Sequence, residues 1–224
     1  MRKFKAIMIG ATGATGSQLL RQLLNNPNCS HVVSIGRKPA MGNDKNKKLN
    51  DIVLKSLFDL SSTADYWIGN DVFFNCIGTT RKEAGSAKAF IDIEFGISNE
   101  AAKLASNAQI PHACLISAKG VDHTIWAPIW IHPLLYMKTM GQKEQTILSN
   151  NNFNYISIFK PGMLSRLRGK SSTIENFLQS KALKLRVDIL SSAMMKSAEY
   201  IKNREPVKHS LILEGNKKII SYLD

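Results

Sequence analysis

Three glycines spaced by threes, Gly10, Gly13 and Gly16, close an apolar run from Phe4 to Ile9 and open a stretch where Leu19, Leu20, Leu23 and Leu24 recur at helical spacing. Glycines at such a turn let the backbone bend tightly and approach a pyrophosphate, whose charge then meets the unpaired N–H groups of a helix N-terminus. Side chains there would block the approach. The chemistry indicated is dinucleotide binding. An ordinary glycine-rich turn between strand and helix would carry the same residues, but here the turn follows the first strand, opens a helix and precedes a second apolar run, His31 to Ile35, at the distance a βαβ unit requires. Arg37 and Lys38 stand at the end of that second run. A site that prefers NAD usually holds the ribose 2′-hydroxyl with Asp or Glu at this point, and that carboxylate would repel a 2′-phosphate. Two cations there favour NADP; the alternative is ordinary surface charge in a loop.

Presenting these residues on one edge calls for a parallel sheet. Asn25-Asn26-Pro27-Asn28 stops the first helix, residues 40 to 50 read as a polar loop, and Ile52 to Leu54 reads as a short third strand. Val72 to Ile77 reads as a fourth strand ending at Gly78, and Ala113 to Ile116 as a fifth that delivers Ser117-Ala118-Lys119-Gly120 to the same edge. Between them Ile93, Ile97, Ala101, Leu104 and Ala108 describe one buried helical face. The run from Trp126 to Pro133 is apolar but twice broken by proline, so it reads as a loop. A helix over Tyr136–Leu148, a sixth strand over Tyr155–Phe159, a helix from about Asp188 to Lys202 and a last strand around Leu211 to Leu213 complete the reading. Continuous apolar strands alternating with helices predict an α/β fold. Its form is a Rossmann-type doubly wound parallel sheet with helices on both faces and a small C-terminal substrate-side portion. One domain over residues 1–224 is expected.

The chain has 224 residues, 44% hydrophobic and 21% charged, which suits a globular protein with a substantial core. No apolar run approaches the roughly 20 residues that span a bilayer, and the apolar stretch at the N-terminus is too soon interrupted by glycine for a secretory signal. A cytoplasmic location is expected. Cys29, Cys76 and Cys114 are odd in number and share no ligand-like spacing, so they read as reduced, buried thiols with no metal role. The formal charge of +13 could attract a phosphorylated cofactor, an acidic substrate, nucleic acid or a membrane surface. The basic residues are spread along the chain, and the densest clusters, Lys45-Lys47-Lys48 and Arg166-Arg168-Lys170, lack the interleaved aromatics that stack bases. Nucleic acid is therefore not expected as a partner.

Taken in order, Gly10-x-x-Gly13-x-x-Gly16, Gly36-Arg37, Asn75-Cys76-Ile77-Gly78-Thr79-Thr80-Arg81, Ile116-Ser117-Ala118-Lys119-Gly120, Tyr136 and Phe159-Lys160-Pro161-Gly162 resemble the Tat-interacting oxidoreductase group. That group belongs to the atypical short-chain dehydrogenases, which have an NADPH-binding Rossmann fold, and the likeness covers roughly residues 4 to 170. The resemblance implies that Thr12, Gly13, Ala14 and Thr15 line the pyrophosphate and that Arg37 and Lys38 meet the 2′-phosphate. It implies that Asp59 and Leu60 border the adenine, although Asp59 could equally cap a helix. Ile77 and Gly78 would pass the adenosine ribose, and Lys160 with Arg166 would border the nicotinamide end.

In dehydrogenases of this class a Tyr hydroxyl exchanges a proton with the substrate oxygen, a Ser orients that oxygen, and a Lys one turn after the Tyr favours the tyrosinate. By resemblance Tyr136 and Ser117 are the catalytic candidates. Where the lysine belongs this chain has Met140, which can donate no hydrogen bond. Only about 0.1% of an unperturbed tyrosine is ionised at pH 7. Lys138 turns away from Tyr136, Lys143 lies about 10 Å farther along the axis, and Lys119 could enter from the neighbouring strand. Ala118 takes the second place of the family's Ser-Ser-Lys-Gly stretch. The expected function is NADPH-dependent reduction of a carbonyl-type group on a small molecule. The alternative is a non-catalytic NADPH-binding regulator acting through a protein partner.

Overall fold

The computed structural model describes residues 3–42, 44–165, 184–202 and 208–224. Nine strands follow in chain order among them: β1 Phe4–Ile9, β2 Cys29–Gly36, β3 Leu49–Val53, β4 Val72–Asn75, β5 His112–Ile116, β6 Tyr155–Lys160, β7 Met163–Ser165, β8 Lys184–Arg186 and β9 His209–Glu214. Seven form a parallel sheet in the order β3-β2-β1-β4-β5-β6-β9, and β7 pairs with β8 in a separate two-stranded ribbon. Strand order reverses between β1 and β4, so the loops after them diverge to opposite faces and leave a crevice at the sheet's carboxyl edge. Ile9 pairs with both Ile35 and Asn75, which brings the ends of β1, β2 and β4 to one level.

Among the described residues eight α-helices pack around the sheet: α1 Ala14–Asn25, α2 Ala64–Trp67, α3 Arg81–Ala84, α4 Ala87–Ile91, α5 Ile97–Asn107, α6 His132–Leu148, α7 Val187–Lys202 and α8 Asn216–Ser221. Alternation along β1 assigns the two faces. Ala6 and Met8 join Leu19, Leu20, Leu23, Leu190, Ala193 and Met194 from α1 and α7, whereas Ile7 and Ile9 join Trp67, Ile97, Ala101 and Ile147. Burial on both faces explains why the strands are continuously apolar rather than alternating.

Several boundaries differ from expectation, three of them for a physical reason. β3 runs from Leu49 to Val53 rather than over Ile52–Leu54, because Leu49, Asn50 and Asp51 pair with β2 on a half-exposed sheet edge that needs no apolar signal. The first turn of α6 begins at His132, inside the stretch read as loop. Pro133 is tolerated there because the N–H it lacks would have no partner in a first turn. Finally, the apolar face beginning at Ile93 is interrupted by one π-helical turn, Asp92–Gly96, before α5. Glu94 within that turn faces the interior and is 2% exposed.

Candidate nucleotide-binding site

The glycine turn is fixed by close backbone approach. Gly10 has φ +79°, and a Cβ there would lie 2.5 Å from the Cys76 carbonyl carbon; one on Gly16 would lie 2.1 Å from the Gly10 oxygen. Gly10 and Gly16 thus seat the turn against β4 and α1 against β1. Gly13 is the N-cap of α1 and no side chain caps that end, which leaves the donors of the first helical turn for an anion. A cavity of about 420 Å³ opens in front of it, walled by Gly10, Thr12, Gly13, Arg37, Lys38 and Gly78 among others. Ala14 is exposed beside it, whereas Thr15 is buried and its carbonyl accepts from Ser191 Oγ at 3.0 Å. Uncapped helix donors at one end of the cavity and two exposed cations at the other fit a phosphorylated dinucleotide.

A second cavity of about 470 Å³ continues past Arg37, between Lys55, Phe58, Ile77, Thr79 and Ile93. Arg37, Leu57, Ile77 and Gly78 line both. The Leu60 side chain is wholly buried in the core, so Leu57 and not Leu60 is the leucine on the cavity wall. Asp59 is exposed; hydrogen bonds from the Ser61 side chain and from the Ser61 N–H, the latter to Oδ1 at 2.9 Å, hold its carboxyl below the usual range. It lines neither cavity, and the N-cap of the short 3-10 turn Ser61–Thr63 is Leu60 rather than Asp59.

The expected catalytic residues sit in different company from the family pattern. Tyr136 occupies the second turn of α6, half-buried against Phe90 and His132, with ring centroids 6.0 and 6.5 Å away. Burial, and secondarily the Glu94 carboxylate, push its hydroxyl above the ordinary tyrosine value. Met140 is buried on the same helix, so no ammonium replaces the expected lysine at that position. Ser117 is buried at the end of β5 and its hydroxyl donates to Glu144 Oε1 at 2.6 Å. That proton is therefore not offered to a ligand. Lys160, expected at the nicotinamide end, is buried with its ammonium 3.1 Å from Glu144 Oε1 and 4.0 Å from Glu214 Oε2. Lys119 is exposed and its N–H donates to the Pro161 carbonyl. Arg166 lies outside the described residues.

Lys143 has partners other than the Tyr136 hydroxyl. Its side chain is fully buried, donating to the Ile77 carbonyl at 2.5 Å and to Glu94 Oε2 at 3.0 Å. Glu94 Oε1 in turn accepts the Thr79 N–H at 2.6 Å. Sequence reasoning passed over Glu94 and Glu144. Glu144 follows Met140 by four residues and so shares a face otherwise apolar, which was a usable signal. Glu94 carried the same kind of signal, since it precedes Ile97 by three residues and Ala101 by seven and so shares their buried helical face. The loop before α6 is pinned by a close approach at Gly141, where a Cβ would meet the His123 nitrogen. Trp126 and Trp130 on that loop are 73% and 77% exposed and wall neither cavity.

A family model described as NAD(P)H-binding matches residues 10–184. The protein named FMP52, mitochondrial, of Candida albicans is 30% identical over 178 residues, covering 75% of this chain and 71% of its own. The rat protein HTATIP2 is 30% identical over 165 residues, covering 73% of this chain and 64% of its own. Among solved structures, the oxidoreductase ylbE from Lactococcus lactis superposes with a TM-score of 0.66 over 98% of this chain and 96% of that one, at 14% identity, a likeness of fold.

Proposed function

The chain belongs to the NAD(P)H-binding family, with FMP52 and HTATIP2 proteins among its homologues, and from that premise we propose that it is an NADP(H)-dependent reductase of a carbonyl-type group on a small molecule. The observation that carries the reading is the single cavity with the uncapped N-terminus of α1 at one end and Arg37 with Lys38 at the other. Thr12 to Gly16 would hold the pyrophosphate of a bound NADP(H), Arg37 and Lys38 its 2′-phosphate, and Ile77 and Gly78 would border the adenosine ribose. When bound, NADPH supplies the hydride.

Tyr136 supplies the proton. A hydroxyl held above its ordinary titration range stays a phenol at neutral pH, which is the form that donates a proton to a carbonyl oxygen as the carbonyl carbon receives a hydride; the tyrosinate would serve the reverse, oxidative direction. Raising the pKa therefore suits reduction, and the missing lysine matters less in that direction. Ser117 acts indirectly, holding Glu144 on α6 against Lys160 on β6.

A second reading, a non-catalytic NADPH-binding regulator, is favoured by a different observation: Met140 is apolar and the Ser117 proton is taken by Glu144. Nicotinamide-fluorescence titration with NADPH and NADH decides the first step. Wild type is expected to favour NADPH, and Arg37→Ala/Lys38→Ala to lose at least ten-fold in NADPH affinity and little in NADH affinity. Equal affinities for the two cofactors would remove the NADP assignment. Turnover of a carbonyl panel that disappears in Tyr136→Phe supports the reductase, and cofactor binding without turnover supports the regulator. The mitochondrial naming of the Candida relative puts the expected cytoplasmic location to a direct test, imaging of a fluorescent fusion of this chain.

A further inference from the structure

We propose that Glu94 and Lys143 form a clamp that sets the Ile77–Gly78–Thr79 wall of the cofactor cavity, with Lys143 bringing to the site, from one turn further along α6, the ammonium that position 140 lacks. The inference rests on the cofactor reading above and adds two positioning residues to it.

Ile77, Gly78 and Thr79 run along the end of β4, and Ile77 and Gly78 line both cavities. The segment is held from behind at both ends. The Ile77 carbonyl accepts from the Lys143 ammonium, and the Thr79 N–H donates to Glu94. The two side chains then pair with each other at 3.0 Å, 0% and 3% exposed. At the start of the segment Asn75 Oδ1 accepts the Ile77 N–H at 3.1 Å. Three hydrogen bonds thus fix a stretch that includes a glycine and belongs to no strand or helix.

Position on the helix explains the lysine. Seven residues carry an α-helix through about 700°, so Lys143 returns to within about 20° of the Tyr136 face. Long helical side chains also lean toward the N-terminus, back along the direction of Tyr136. The partner carboxylate sits within the π-helical turn Asp92–Gly96, a local irregularity frequent at functional sites. Burying a carboxylate and an ammonium carries a large desolvation penalty, and a well-packed apolar pair of the same volume is often as stable. Stability alone does not account for the pair. Two charge-assisted hydrogen bonds to the backbone of the cavity wall do. Glu94 also faces Tyr136 electrostatically, which joins the clamp to the ring of the proposed proton donor.

The experiment is NADPH titration by nicotinamide fluorescence on the full chain, beside thermal melting, for wild type, Glu94→Gln/Lys143→Met and Glu94→Asp. The double variant buries neither charge and keeps similar shapes. It is expected to melt within a few degrees of wild type, to bind NADPH at least ten-fold more weakly and to shift the emission of the bound nicotinamide. Glu94→Asp keeps the charge but draws the carboxylate back from Thr79, and a smaller, clear loss of affinity is expected. A lowered melting temperature with unchanged Kd would make the pair merely structural and overturn the proposal. Should the double variant not fold, Glu94→Asp decides alone, and wild-type Kd in it also overturns the proposal. Failure of wild type to bind NADPH would instead remove the cofactor reading.

Discussion

His112 is a buried imidazole whose proton the fold refuses. It stands at the start of β5 with Nε2 2.9 Å from Ser157 Oγ, and burial pulls its pKa from 6.5 to about 3. The sign follows from linkage. Between those two values the unfolded chain binds a proton that the folded chain does not, so stability falls as pH drops through the unfolded value. Near pH 5 the loss relative to pH 8 is about 2 kcal/mol. Thermal melts from pH 8 to 5 are expected to show this decline, and His112→Asn, which keeps a partner for Ser157 without titrating, is expected to flatten it. Equal slopes in the two proteins would show that His112 titrates as freely folded as unfolded. Other single residues were legible from their types. Cys29, Cys76 and Cys114 are free and buried, and burial pushes Cys29 up to about 11 and Cys76 up to about 12, so they are the inert thiols that their apolar surroundings implied. The acidic members of the site were not legible in the same way. Glu94 and Glu144 both stand at helical spacing with apolar neighbours, but a carboxylate so placed is told from ordinary surface charge only by its partners, Lys143 for the one and Ser117 with Lys160 for the other.

At the scale of elements, the βα turn tests how tightly the site is built. A Cβ on Gly16 would sit 2.1 Å from the Gly10 oxygen, against 3.2 Å for one on Gly13. Gly16→Ala must therefore push α1 away from β1, at a cost of about 1–3 kcal/mol for forced overpacking, whereas Gly13→Ala asks only a small adjustment. Calorimetry is expected to show Gly16→Ala melting below Gly13→Ala, and both variants losing NADPH affinity, since one moves the helix and the other crowds the cavity. The reverse order of melting temperatures would mean that the helix is not seated through Gly16. This turn was readable because glycine spacing is a local signal, as were β1, β4, β5 and β6, whose apolar runs mark strands covered on both faces. β3 was cut short because an edge strand with one half-exposed face carries Leu49, Asn50 and Asp51 without penalty. The start of α6 was missed because two prolines dominate the stretch before it, although one of them, Pro133, occupies the turn where proline is harmless. That shift moves Tyr136 from the helix start into its second turn, where Phe90 and His132 flank the ring.

The whole molecule ties the site to residues that never approach the cofactor cavity. A parallel sheet covered on both faces followed from alternating strands and helices, but the partner of α1 could not be read, because the pairing of two amphipathic helices across more than 160 residues leaves no local mark. That partner is α7. Leu19, Leu20 and Leu23 bury themselves against Leu190, Ala193, Met194 and Ala198. Gln22 Nε2 donates to the Asp188 carbonyl at 3.0 Å, and Ser191 Oγ donates to the Thr15 carbonyl at 3.0 Å, one turn from the anion-binding end of α1. Without α7 the apolar stripe of α1 faces water, and at about 25 cal/mol per Å² of apolar surface a helix face of this kind is worth several kcal/mol, comparable with the whole stability of a typical domain. A chain ending at Arg186 retains every cofactor-binding residue proposed above, from Gly10 to Arg166. It is nevertheless expected to aggregate on gel filtration and to bind no NADPH, because the helix whose N-terminus holds the pyrophosphate has lost the surface that fixes it. Wild-type affinity in a monomeric truncated chain would mean that the glycine turn is held by the sheet alone, and that α7 serves only to cover it.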